Sequence, residues 1–113
     1  MTQYLNTAAS TVEAFWEKKG FGSYKTGGGC DAMLREFSPT DYILVTGLDP
    51  NVPDELFDPC TVTFHSGDDD GVEMQFRFKD SLVLSDMPEF KTMDEARQWF
   101  TQNKDRAVTV KGV

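Results

Sequence analysis

The stretch Cys60-Thr61-Val62-Thr63-Phe64-His65, the linker Ser66-Gly67-Asp68-Asp69-Asp70-Gly71 and the run Val72-Glu73-Met74-Gln75-Phe76-Arg77-Phe78-Lys79 decide the fold. The last of these alternates strictly, which is the period of a strand with one face in a core. It sends Val72, Met74, Phe76 and Phe78 inward and Glu73, Gln75, Arg77 and Lys79 outward. A short polar linker between two such runs is a hairpin connection. So aromatic an inner face needs a second layer to cover it.

Upstream, Tyr42-Ile43-Leu44-Val45-Thr46 reads as another strand, and its apolar continuity suggests a central place covered on both faces. Residues 30–37 alternate as well, with Cys30, Ala32 and Leu34 on one side and Asp31, Met33, Arg35 and Phe37 on the other. Ser38-Pro39-Thr40-Asp41 is turn chemistry, so 30–37 and 42–46 form a hairpin. Residues 20–29 are rich in glycine and read as loop, with room for a short strand at Ser23-Tyr24-Lys25. The segment Asp49 to Pro59, broken by three prolines, reads as an irregular surface loop pinned by Leu56 and Phe57. Ser81-Leu82-Val83-Leu84-Ser85 reads as one more short strand, ended by Asp86-Met87-Pro88, and 107–111 as a final edge strand.

Two helices supply the second layer. Over 8–19, Ala8, Val12, Phe15 and Trp16 form one apolar stripe, Asn6 or Thr7 caps the start, and Gly20 provides a left-handed stop. Over 93–103, Thr92 and Glu95 have capping-box spacing, and Met93, Ala96, Trp99 and Phe100 form the buried face. The expectation is a single α+β domain over 1–113: an N-terminal helix, four or five mostly antiparallel strands, a C-terminal helix and a final edge strand.

The 113 residues suit one domain, and nine Phe with two Trp give it a core. No apolar run is long enough to span a bilayer. The first residues have neither the basic nor the apolar region of a signal peptide. Two cysteines are too few for a disulfide framework, so the expected compartment is the cytoplasm. A pI near 4.4 argues against direct contact with nucleic acid or anionic lipid, both of which need Lys and Arg.

No catalytic, cofactor or metal motif emerges. Gly27-Gly28-Gly29 lacks the Lys-Ser/Thr pair and following helix of a phosphate loop, since Cys30-Asp31 comes next. Setting Gly71 at position six of a calcium loop puts Ser66 at position one and Arg77 where a bidentate glutamate belongs. Cys30, Cys60 and His65 share no metal-ligand spacing. The carboxylates lie in polar loops, where nothing raises a pKa for acid–base work.

The charge distribution is the most informative feature. Residues 1–48 carry net −1, residues 49–95 carry −10 from thirteen acids and three bases, and residues 96–113 carry +3. Acidic loops of this kind keep a small protein soluble, or they steer association with a basic partner. In size and acidity the chain resembles small phage-encoded inhibitors of host defence, including many anti-CRISPR proteins; the resemblance is compositional and covers no motif. The leading expectation is a non-catalytic module that presents Asp54, Glu55, Asp58, Asp68, Asp69, Asp70 and Glu73 to a basic, nucleic-acid-handling protein. That reading requires the acidic loops to lie at one end of the sheet. One alternative is a small enzyme or ligand-binding domain using Cys30 or His65 beside Gly27–Gly29. Another is a structural component of a larger assembly.

Overall fold

A computed structural model of the chain describes residues 7–27, 30–47, 58–67 and 71–112. Helix α1, Thr7–Glu17, buries Val12 and Trp16 and stops where its sequence says it should. Gly20 takes φ 94°, so the Phe21 N–H reaches the Trp16 carbonyl (3.1 Å) and the Gly20 N–H the Glu17 carbonyl (3.0 Å). The Phe21 ring then packs edge-on against Trp16 at 5.1 Å, the apolar contact that accompanies this type of helix stop.

Six strands follow in one antiparallel sheet whose spatial order is the sequence order: β1 Gly22–Gly27, β2 Cys30–Glu36, β3 Tyr42–Thr46, β4 Cys60–Ser66, β5 Gly71–Phe78 and β6 Thr109–Lys111. Against an expectation of four or five strands and a final edge strand, the sheet has six in all, with the glycine-rich segment supplying β1. β1 takes its register from residues Cys30 to Leu34 of β2, Gly22 opposite Leu34 and Tyr24 opposite Ala32, so a partner's backbone overrides its own weak strand propensity. The tail does form the final edge strand, on β5.

Two further expectations are corrected. Residues 81–84 form a 3-10 turn, Ser81–Leu84, instead of a strand. Asp80 accepts from the Val83 N–H (3.0 Å), and Ser81 is buried with its Oγ accepting from Trp16 Nε1 (3.3 Å). Local capping and one long-range hydrogen bond thus fix a turn where the apolar pattern suggested extension. Val72 does not face the core either: it is 60 % exposed. Phe64 pairs with Met74 but His65 pairs with Val72, so Glu73 is an extra residue on β5. Such a bulge reverses the alternation beyond it. Met74, Phe76 and Phe78 are buried as expected.

Helix α2, Met93–Gln102, begins with the predicted cap, Thr92 Oγ1 accepting from the Glu95 N–H (3.1 Å). The Glu95 carboxylate reaches back to the Lys91 N–H (3.0 Å). Met93, Ala96 and Phe100 are buried, and Trp99 is half-buried. Phe100 sits at 5.3 Å from both Phe64 and Phe76 and at about 6 Å from Phe78 and Phe90.

The stretch from the 3-10 turn to α2 has few regular hydrogen bonds, and three cations satisfy carbonyls along it. Lys19 Nζ donates to Ser85 O (2.9 Å) and Met87 O (2.7 Å), Arg35 to Phe90 O, and Arg106 to Val83 O (3.2 Å). Arg106 also grips Asp86 with both terminal nitrogens, and Arg35 lies 3.6 Å from Glu89. The buried Nε of Arg35 has no hydrogen-bond partner among the described residues, but the guanidinium lies over the Phe37 ring at 4.8 Å.

Both helices and this stretch pack on one sheet face, around Met33, Ile43, Val45, Val62, Phe64, Phe76 and Phe78. No described helix covers the other face. β3 is therefore central but covered by helices on one side only: Ile43 and Val45 are buried, while Tyr42, Leu44 and Thr46 are half-buried.

Replacing Phe100 with Ala removes the ring shared by all these contacts and should cost about 3–5 kcal/mol. Domains of this size are stable by only about 5–15 kcal/mol, so a urea melt should show a large fall in midpoint with an unchanged slope.

Candidate functional site

The antiparallel order decides where the acidic segments attach. The β3–β4 connection leaves after Gly47 and returns at Asp58, at the end of β4 where Cys60 lies. The β4–β5 connection leaves from Ser66, at the other end. Six residue steps separate these points, about 20 Å at strand spacing, which is twice a Debye length of about 8–10 Å. The acids do not attach at one end of the sheet, as the single-patch expectation required. They flank it.

Of the seven acids expected to meet a partner, Asp54, Glu55, Asp68, Asp69 and Asp70 lie outside the described residues. Asp58 is half-buried at the approach to β4. Glu73 is engaged within the chain: Arg97 donates to its two oxygens at 2.8 and 2.9 Å, and its pKa is held below the usual carboxylate value by those bonds. Arg97 also binds Asp94 at 2.7 Å. Glu73 fastens the bulge of β5 to α2.

The register also separates the groups of the catalytic alternative. His65 is level with Tyr42 and, through it, with Glu36 at the far end of β2 from Cys30. Cys30 pairs with Gly27 at the opposite end of the sheet, so His65 stands far from Gly27 as well. Cys60 is fully buried on the core face, and His65 is on the other face. Burial pushes the Cys60 thiol up to about 12, with a hydrogen bond to Ser81 opposing the shift and Asp80 adding to it. A thiol this reluctant to ionise is a poor nucleophile at neutral pH. Among the described residues, no three His, Cys, Asp or Glu side chains come together to hold a metal, and no helix is long and apolar enough to cross a membrane.

What the fold does assemble is the helix-free face. Tyr42 stacks flat on His65, ring centroids 4.8 Å apart and planes within 11°. Gln75 donates to Thr63 Oγ1 (3.2 Å). Towards the β1 edge, Tyr24, Leu34, Glu36, Pro39 and Tyr42 line a hollow of about 220 Å³. The sequence leaves room for a short strand at Ser23-Tyr24-Lys25 but does not give its partner, and only the pairing with β2 places Tyr24 beside Ala32. The alternation of 42–46 already put Tyr42 and Leu44 on one side, and a strand assignment for 22–27 would have completed the surface.

Comparison of the chain with family models, curated proteins and solved structures finds no match.

Two outcomes follow from the site chemistry. In the folded protein, Cys60 should resist alkylation by iodoacetamide at pH 8 and react fully in denaturant, as read from the mass of its peptide. Its raised pKa contributes stability that is complete below the ordinary thiol value of 9.0 and is lost as pH rises towards about 12. Glu73 has the opposite sign, because its folded pKa is lowered. Its contribution is present at neutral pH and disappears as pH falls through the acid range, so Glu73→Gln should lower the melting temperature at pH 7 and much less at acid pH.

Proposed function

We propose that this chain is a small, acidic, non-catalytic protein-binding module that takes a basic partner along the helix-free face of its sheet. The observation that carries the reading is the attachment of the two acidic connections at opposite ends of β4, with that face between them. A partner that meets both connections must extend across the sheet. The net charge of −8 favours a cationic one. Tyr24 at 45 % exposure, Val72 at 60 % and the Tyr42–His65 stack offer apolar and aromatic contact area on the same face.

The partner class with the required basic surface is a nucleic-acid-handling protein, whose Lys and Arg otherwise meet phosphates. An acidic module on that surface competes with DNA or RNA. This is the mode of action proposed here, with the cytoplasm as its setting and a phage or mobile element as the kind of genome that encodes it.

The test is capture of partners from source-cell lysate on the immobilised chain at low and high salt, with the triple variant Asp68→Asn, Asp69→Asn, Asp70→Asn alongside. A basic protein retained at low salt, released at high salt and retained several-fold less by the variant is the expected result. Retention that ignores both salt and the variant overturns the reading.

A further inference from the structure

The hollow beside β1 has a chemistry of its own. Gly22 stands opposite Leu34 in the register and so shares its face of the sheet. A Cβ built on Gly22 would meet nothing within 4 Å. The edge strand therefore has a missing side chain next to Tyr24, which leaves the hollow open towards the sheet edge. Its remaining walls are Leu34, Pro39 of the β2–β3 turn, Tyr42 and Glu36.

Size narrows the occupant. At about 220 Å³ the hollow is below the roughly 300–1,000 Å³ of small-molecule and cofactor sites, so it suits one side chain. Charge narrows it further. Glu36 is exposed and makes no ion pair among the described residues, whereas Glu73, Asp86, Glu89 and Asp94 all do. The one basic side chain next to it in sequence, Arg35, is turned to the opposite face, where it holds Phe90 O and Gly20 O. A carboxylate with no ion pair among the described residues, sharing a hollow with two tyrosines, is complementary to a planar cation, which gains both the ion pair and contact with an aromatic ring.

We infer that the hollow formed by Tyr24, Leu34, Glu36, Pro39 and Tyr42 is a binding site for an arginine side chain presented by an extended segment of the basic partner. This deepens the proposed function and rests on it. The edge of β1, which pairs with no other described strand, lies beside the hollow, so a segment running along that edge can direct alternate side chains into it, as strand addition does elsewhere.

The experiment titrates acetyl-Thr-Arg-Thr-amide into the isotope-labelled protein by NMR, with the neutral citrulline peptide as control. The arginine peptide should shift the amide signals of Gly22, Tyr24, Leu34, Glu36 and Tyr42 and bind about fivefold or more tightly than the citrulline one, a margin sized from an exposed ion pair plus a cation–π contact. Glu36→Gln should bring the two peptides to within roughly twofold of each other. Gly22→Leu, a substitution into open space, should fill the gap and abolish the shifts while the circular dichroism spectrum stays unchanged. Equal binding of both peptides, no shift at these residues, or binding undisturbed by Gly22→Leu overturns the assignment. A lysate partner held in a salt-sensitive way by wild type and Gly22→Leu alike would sink this site and leave the acidic-module reading standing.

Discussion

Phe100 against the sheet is the contact on which the rest depends. Its ring meets Phe64 on β4, Phe76 and Phe78 on β5, and Phe90 ahead of α2, so one side chain joins the second layer to two adjacent strands. Strand geometry then leaves no choice about the other face. With Phe64, Phe76 and Phe78 committed to the core, the intervening Thr61, Thr63, Gln75 and Arg77 must point away from it. The helix-free face is thus the complement of the aromatic cluster.

The second layer needs more than apolar contact, because much of it is irregular. Free carbonyls in a partly buried stretch are costly unless paired. Lys19 from the end of α1, Arg35 from β2 and Arg106 from the segment before β6 supply the donors, so elements distant in the chain converge on residues 83–90. Burial lowers the Lys19 pKa, and Asp86 opposes that shift. These cations are spoken for within the fold. The acids they meet, Asp86 and Glu89, are ion-paired within the fold, while Glu36 lines the hollow and has no ion pair among the described residues.

Much of the architecture was legible. The helix stop at Gly20, the cap at Thr92, the inward Met74, Phe76 and Phe78, and the strand order of 30–46 are set by neighbours a few residues apart, where period and side-chain chemistry act directly. The misreadings share a cause. β1 is a strand because β2 lies beside it, 81–84 is a turn partly because Trp16 reaches Ser81 across 65 residues, and Val72 faces outward because of its pairing with β4. Each depends on a partner remote in sequence.

The same division holds for the acidity. The sequence by itself determined that residues 49–95 carry net −10 and that no motif for catalysis, metal or phosphate accompanies them. Composition is a property of the chain and survives any folding. Only the tertiary structure decided that the two acidic connections attach at opposite ends of β4, that His65 and Cys30 stand apart, and that Glu36 shares a hollow with two tyrosines. Proximity is set by strand order and register, which arise from backbone pairing and from burying the aromatic face, and no local stretch of sequence records them.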